Sequence, residues 1–290
     1  ENFEIVVRKK FRSLIIPFLI FYSLGLIITL LLPFWRSNLS FNGILSDLWL
    51  SDPQSVHNSS IWFLVCLFIT TIAFDLLIKL SSETSTIVIT TIYSLGIWYS
   101  RHRTEFKVIA VNRLPFNLDV VPAALIFYTL GFYARKTGII EKALSSFENE
   151  LMMFFTGIIG TIMVLAYNGY VNLHGLQFGN AIFYIAGGII GTLIIVSASR
   201  LTIRTNTDLS KTVKSIVTFY GTNSLIILGI QSLLIRLYIE FCNRVFETQL
   251  SLYQFPLKHT VISTTIIGFI ICPIVCIFWK FMKSMSFTVR

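Results

Sequence analysis

Charge is scarce in this sequence. Only 13% of its 290 residues are Asp, Glu, Lys or Arg, against 54% hydrophobic, and a soluble globule of this length needs far more polar surface to cover its core. Proline is sparse as well, with 7 residues, and no stretch rich in Pro, Gly or Ser divides the chain. It therefore reads as a single membrane domain over residues 1–290. The 4 cysteines (Cys66, Cys242, Cys272 and Cys276) form no CxxC pair and have no histidine at ligand spacing. They read as small apolar helix residues, and no metal is expected. No GxSxG elbow, HExxH, P-loop or GxGxxG occurs, which removes the footing of the common soluble chemistries. A β-barrel alternation, a cleavable signal peptide and an internal repeat of the two-halved transporter kind are likewise missing.

What is abundant is long apolar runs of about 18 to 25 residues, the length that crosses roughly 30 Å of hydrocarbon as a helix. They predict an all-α fold, a polytopic transmembrane helix bundle. Eight spans are expected, over residues 12–34, 61–80, 85–100, 119–136, 151–168, 180–199, 216–239 and 260–282. The net charge of +9 raises the question of a nucleic-acid partner, and its distribution answers it. With residues 1–11 on the cytoplasmic side, the inner segments hold fifteen of the 23 Lys and Arg, among them Arg8, Lys9, Lys10, Arg12, Arg135, Lys136, Arg200 and Arg204. That excess follows the positive-inside rule. Basicity here reports topology, and the expected partner is a lipid bilayer, that of a bacterial inner (plasma) membrane, with no nucleic acid.

Polar groups inside or beside the spans carry the next information. Asp75 is the deepest carboxylate, with Lys79 one turn on; an intramembrane charge is a functional candidate by default, but this pair reads better as two side chains snorkelling along one helix face. Arg236 and Glu240, at the same spacing, read as a second such pair at an outer helix end. All four histidines (His57, His102, His174 and His259) fall on the outer side, where a neutral imidazole is suited to take a hydroxyl proton. The outer loop over residues 35–60 is expected to hold a short interfacial helix anchored by Trp35 and Trp49.

Five stretches resemble the acyltransferase-three membrane family, in particular its fucose O-acetylase-like branch. They are "RKKFRSLIIPF" at the start, "IWFLVCLF" over residues 61–68, "LPFNLDVVPAALIFYTLGFYARK" over 114–136, "NGYVNLHGLQFGNAIFYIAGGIIGTL" over 168–193, and "GTNSLIILGIQSLL" over 221–234. Their order, spread over nearly the whole chain, makes the resemblance specific. Family members look like bundles of about ten helices, so this chain is expected to lack the first two, and with them the family's catalytic histidine. Two further implications concern residues that are present. A basic pair before the family's third helix is proposed to hold the acyl-CoA donor, and its counterparts here are Lys9, Lys10 and Arg12; Lys meets a phosphate as a point charge, without the bidentate fork of Arg. Relatives often carry His where Gln231 stands, and an amide can orient a hydroxyl but cannot take its proton.

The resemblance thus implies an enzyme that moves an acyl group, expected to be acetyl, from cytoplasmic acetyl-CoA (or another acyl-CoA) to a hydroxyl of a cell-surface or lipid-linked carbohydrate. No bound cofactor is implied, since the acyl-CoA is a co-substrate. Trp62, Asn117, Asp119, Asn168, Asn172 and His174 are expected near the acceptor, with Asp119 either orienting a hydroxyl or capping its helix. The competing readings are a transporter or flippase for a glycan or lipid intermediate, and a non-catalytic remnant of the acyltransferase fold.

Overall fold

The computed structural model describes residues 3–37, 39–80, 82–102, 113–204 and 207–245, with residues 273, 274 and 277. The described residues are helical, and their only β pairing is an isolated bridge between Asn172 and Gln177. Among the described residues, six helical runs are long and apolar enough to cross a membrane: Phe3–Leu31, Ser59–Leu77, Pro115–Thr137, Phe147–Asn168, Ala181–Arg204 and Ser224–Val245. This is an integral, multi-pass helical membrane protein.

The other two expected spans fare differently. Residues 85–100 do form a helix, Ser82–His102, but Thr86, Thr90, Thr91 and Ser94 interrupt its apolar surface and it is not among the six. Residues 260–282 lie outside the described residues, apart from 273, 274 and 277. The span expected at 216–239 begins later, at Ser224. Asn223 explains the shift: its Nδ2 donates to the Phe219 carbonyl at 2.6 Å, so a side chain competes with the backbone ladder and the helix breaks there.

The chain clusters into two compact units, Glu1–Lys9 with Cys66–Ser215 and Lys10–Val65 with Ile216–Arg290. In the first, α5 (Trp62–Leu77), α6 (Ser82–His102) and α7 (Val121–Thr137) meet around Phe74, Ile89 and Leu125. Next come α8 (Ile139–Ala143), α9 (Phe147–Asn168) and α10 (Ala181–Arg204). Ser146 caps α9 by accepting from the Asn149 N–H, with Glu148 and Glu150 in the first turn where the helix dipole favours them. α9 and α10 form a hairpin whose axes come close at Gly157: a Cβ there would lie 2.5 Å from Ile194 Cγ1. Only 6% of the most apolar stretch of either helix is buried. Leu165, Ile162, Ile182 and Ile195 are left exposed, an arrangement lipid accepts and water does not.

The opening helix α1 (Phe3–Lys10), which belongs to the first unit as far as Lys9, passes through one π turn, Phe11–Ile15, into α2 (Ile16–Leu31) of the second. Pro17 supplies the cause: it lacks an N–H and its ring crowds the carbonyl four residues back, so the ladder must widen just ahead of it. A short α3 (Pro33–Arg36) and α4 (Phe41–Leu50) follow; α4 is the short helix expected in this loop, although Trp35, one of its two expected anchors, is buried against His57, and Ser40 caps it by accepting from Gly43 N–H at 3.0 Å. The unit closes with α12 (Ser224–Val245), which packs on α2. α11 (Asp208–Thr222) begins in the first unit and ends in the second.

Candidate functional site

A buried polar node stands at the entry to α7. Asp119 has a side chain 0% exposed and accepts from Arg113 Nε at 2.7 Å, while Arg113 Nη2 donates to Asn117 Oδ1 at 2.8 Å. Asp119 is therefore not the helix cap that its position suggests. The N-cap is Val120, with no side-chain cap at all, because the carboxylate is turned to the guanidinium instead. Its second oxygen, Oδ1, is buried and accepts no hydrogen bond among the described residues. The backbone beneath is unusual: Phe116 and Asn117 both adopt left-handed conformations, with φ of 57° and 56°. Such conformations cost about 1 kcal/mol or more apiece for residues other than glycine and persist where surrounding contacts over-determine them. The sequence named Asn117 and Asp119 but not Arg113; the signal was the i, i+4, i+6 spacing of "RLPFNLD".

The other acceptor-side candidates are placed apart from this node. Asn168 ends α9, donates to the Phe178 carbonyl at 3.3 Å and accepts from Asn180 N–H at 2.7 Å. Asn172 accepts from Gly175 N–H at 2.9 Å and forms the backbone bridge with Gln177. Both amides are occupied in shaping the α9–α10 loop, on which His174 sits half-buried. Trp62, half-buried at the head of α5, meets Phe63 edge-on at 5.9 Å between centroids. Gln231 is half-buried on α12 beside Ser232, whose hydroxyl lies 3.1 Å from that of Ser59.

The donor-side candidates lie just before the π turn (Lys9 and Lys10) and within it (Arg12). Lys9 and Arg12 are exposed and Lys10 is partly so, and no carboxylate among the described residues pairs with any of the three. Elsewhere in the first unit, wholly buried Glu150 accepts from Arg200 Nε at 3.0 Å and lies 2.8 Å from Arg204 Nε, so that basic pair shares one carboxylate. Asp75 meets Lys79 at 3.6 Å, and Lys79 also covers the Phe3 ring at 4.7 Å, the snorkelling pair that the sequence suggested.

A second polar node, in the other unit, was not read as one from the sequence. Arg236 does not serve Glu240, which accepts instead from Arg244 Nε at 2.7 Å. Arg236 turns to the loop before α5: Nη2 donates to Gln54 Oε1 at 3.2 Å and Nη1 stands 3.5 Å from His57 Nδ1. Trp35 stacks on the His57 ring at 4.3 Å. Burial, and then the Arg236 charge, hold the His57 imidazole down at about 4, with Glu240 acting weakly the other way. His57 is thus a neutral hydrogen-bonding group at pH 7, too weakly basic to take a hydroxyl proton efficiently. His259 and the His102 side chain lie outside the described residues, and so do Cys272 and Cys276. Among the described residues, no group of three His, Cys, Asp or Glu is placed to hold a metal ion.

No family model, curated protein or solved structure matches this chain.

Proposed function

We propose that this chain is the membrane-embedded body of an O-acyltransferase that moves an acetyl group from acetyl-CoA to a hydroxyl of a carbohydrate at the outer face of a bacterial inner membrane. In that reaction the hydroxyl oxygen attacks the thioester carbonyl, a C–O bond forms, the C–S bond breaks, and the CoA thiol leaves with the proton. The observation that carries the reading is the Asp119 node. A fully buried carboxylate has one oxygen fixed by Arg113 and the other without a donor among the described residues, as suits a group that orients a hydroxyl or a protonated base. It falls within one of the five ordered stretches that resemble the family. The exposed Lys9 and Arg12, uncompensated by any described carboxylate, suit a donor bearing several phosphates. The eighth span over residues 260–282 belongs to the same reading.

The test is transfer of radiolabelled acetyl from acetyl-CoA to membrane glycan, with Asp119→Asn and Arg12→Ala introduced into the full-length protein. Asp119→Asn is expected to lower kcat at unchanged acetyl-CoA KM, and Arg12→Ala to raise that KM. Unimpaired transfer in both variants overturns the site assignment. Movement of an unmodified glycan, with no acetyl-CoA consumed, replaces the enzyme by a flippase.

A further inference from the structure

The Arg236 node carries an inference that the acyl-transfer chemistry does not use. A guanidinium taken partly out of water is costly unless it is paired with charge or fully hydrogen-bonded. Arg236 is half-buried, yet both groups it reaches, Gln54 Oε1 and His57 Nδ1, are neutral. Among the described residues, the carboxylates of the surrounding segments are engaged elsewhere: Asp47 by Ser55, Asp52 by Gln54 Nε2 at 3.0 Å, and Glu240 by Arg244. Arg236 Nε is buried and donates to nothing among the described residues. A guanidinium presents five N–H donors in a fixed fork, so the described residues leave most of its capacity unspent.

The neighbours hold it in a defined pose. Gln54 accepts through its oxygen because its Nε2 is committed to Asp52. His57 sits at φ 56°, a left-handed backbone that few non-glycine residues adopt, and Trp35, itself 5% exposed, lies against its ring. With Nδ1 turned toward the Arg236 cation, the imidazole proton is assigned to Nε2, which makes His57 a second donor.

We infer that Arg236, supported by Gln54, His57 and Trp35, is an oxyanion-binding subsite that takes the carboxylate or phosphate of a sugar ligand. The inference goes beyond the acyltransferase reading and does not rest on it: the ligand is an acidic sugar or a phosphate-linked one. The bidentate geometry of guanidinium with an oxyanion supplies the missing charge partner.

The experiment is isothermal titration of the full chain in detergent with glucuronate, inorganic phosphate and glucose, without acetyl-CoA. Wild type is expected to bind at least one anionic probe, and Arg236→Gln to weaken that binding tenfold or more. Arg236→Lys is expected to fall between them, with glucose unaffected by either change. Preference for glucuronate names a sugar carboxylate, and preference for phosphate names a phosphate-linked sugar. A wild type that binds neither anion overturns the inference. So does an Arg236→Gln protein that binds as wild type does, because Arg236 is then a strut that ties the loop to α12. Thermal unfolding of each variant establishes that it is folded; should Arg236→Gln fail to fold, Arg236→Lys and His57→Gln carry the comparison, and unchanged anion affinity in both overturns the inference. Because no acetyl donor is present, a failed acetyl transfer leaves this result standing, and a failed titration leaves the transfer assay standing.

Discussion

Asp47 and His57 occupy the same outer loop and titrate over nearly the same pH range with opposite consequences, so their substitution makes a sharp test of the fold around Arg236. Burial pushes the Asp47 carboxyl from its ordinary 3.8 up to about 6, against the Ser55 hydrogen bonds, which favour the charged form. Burial and Arg236 pull the His57 imidazole from 6.5 down to about 4. The folded protein therefore holds the Asp47 proton more tightly than the unfolded chain does. Its stabilising contribution is complete below pH 3.8 and is lost as pH rises through about 6. The folded protein holds the His57 proton less tightly, so that contribution is complete above pH 6.5 and is lost as pH falls through about 4. Each displacement corresponds to roughly 3 kcal/mol for a wholly shielded group, and to about 1.5 kcal/mol once solvent at the loop edge is allowed for.

In the wild type the two slopes oppose each other and largely cancel. Asp47→Asn removes the falling slope, so its stability should climb by about 1.5 kcal/mol between pH 4 and 6.5 relative to wild type. His57→Gln removes the rising one and should fall by a similar amount. Thermal unfolding of the detergent-solubilised chain in small pH steps reads this directly. The difference in Tm between the two variants is expected to change by roughly 6 °C or more across the range. All other titrating groups are common to both variants and drop out of the difference. Parallel profiles would refute the buried placement of this loop.

Other outcomes follow from the packing. Asp119→Ala leaves Arg113 buried without its partner and should cost about 3 kcal/mol, while Asp119→Leu with Arg113→Met should recover most of it in the same unfolding assay. Asp75→Asn should change stability by no more than about 0.5 kcal/mol, because Lys79 is half exposed and the pair is long, at 3.6 Å. Gly229→Ala would set a Cβ 2.5 Å from the Phe21 ring. The helix-propensity gain of about 1 kcal/mol should be outweighed by an overpacking cost of about 1 to 3 kcal/mol, and Phe21→Leu should relieve it in a double-mutant cycle.

What the sequence determined by itself is the solvent. Apolar runs, scarce charge and the asymmetric placement of Lys and Arg specify a multi-pass helical membrane protein, because backbone groups in hydrocarbon must be satisfied within a helix and charges sort by side. The Asp75–Lys79 pair was legible for the same reason, since residues four apart share a helix face. Over 85–100 the expected helix forms, but apolar residues alternate there with Thr86, Thr90, Thr91 and Ser94, and a run of mixed character does not reveal its surroundings. Only tertiary structure decided the polar partners. Arg236 had an acid one turn away and took Gln54 and His57 instead. Asp119 stood where a cap belongs and took Arg113. Helical spacing fixes which neighbours a side chain can reach within its own helix, whereas the choice of an ion's partner depends on which groups the fold buries beside it, and that cost of desolvation is written in no local pattern.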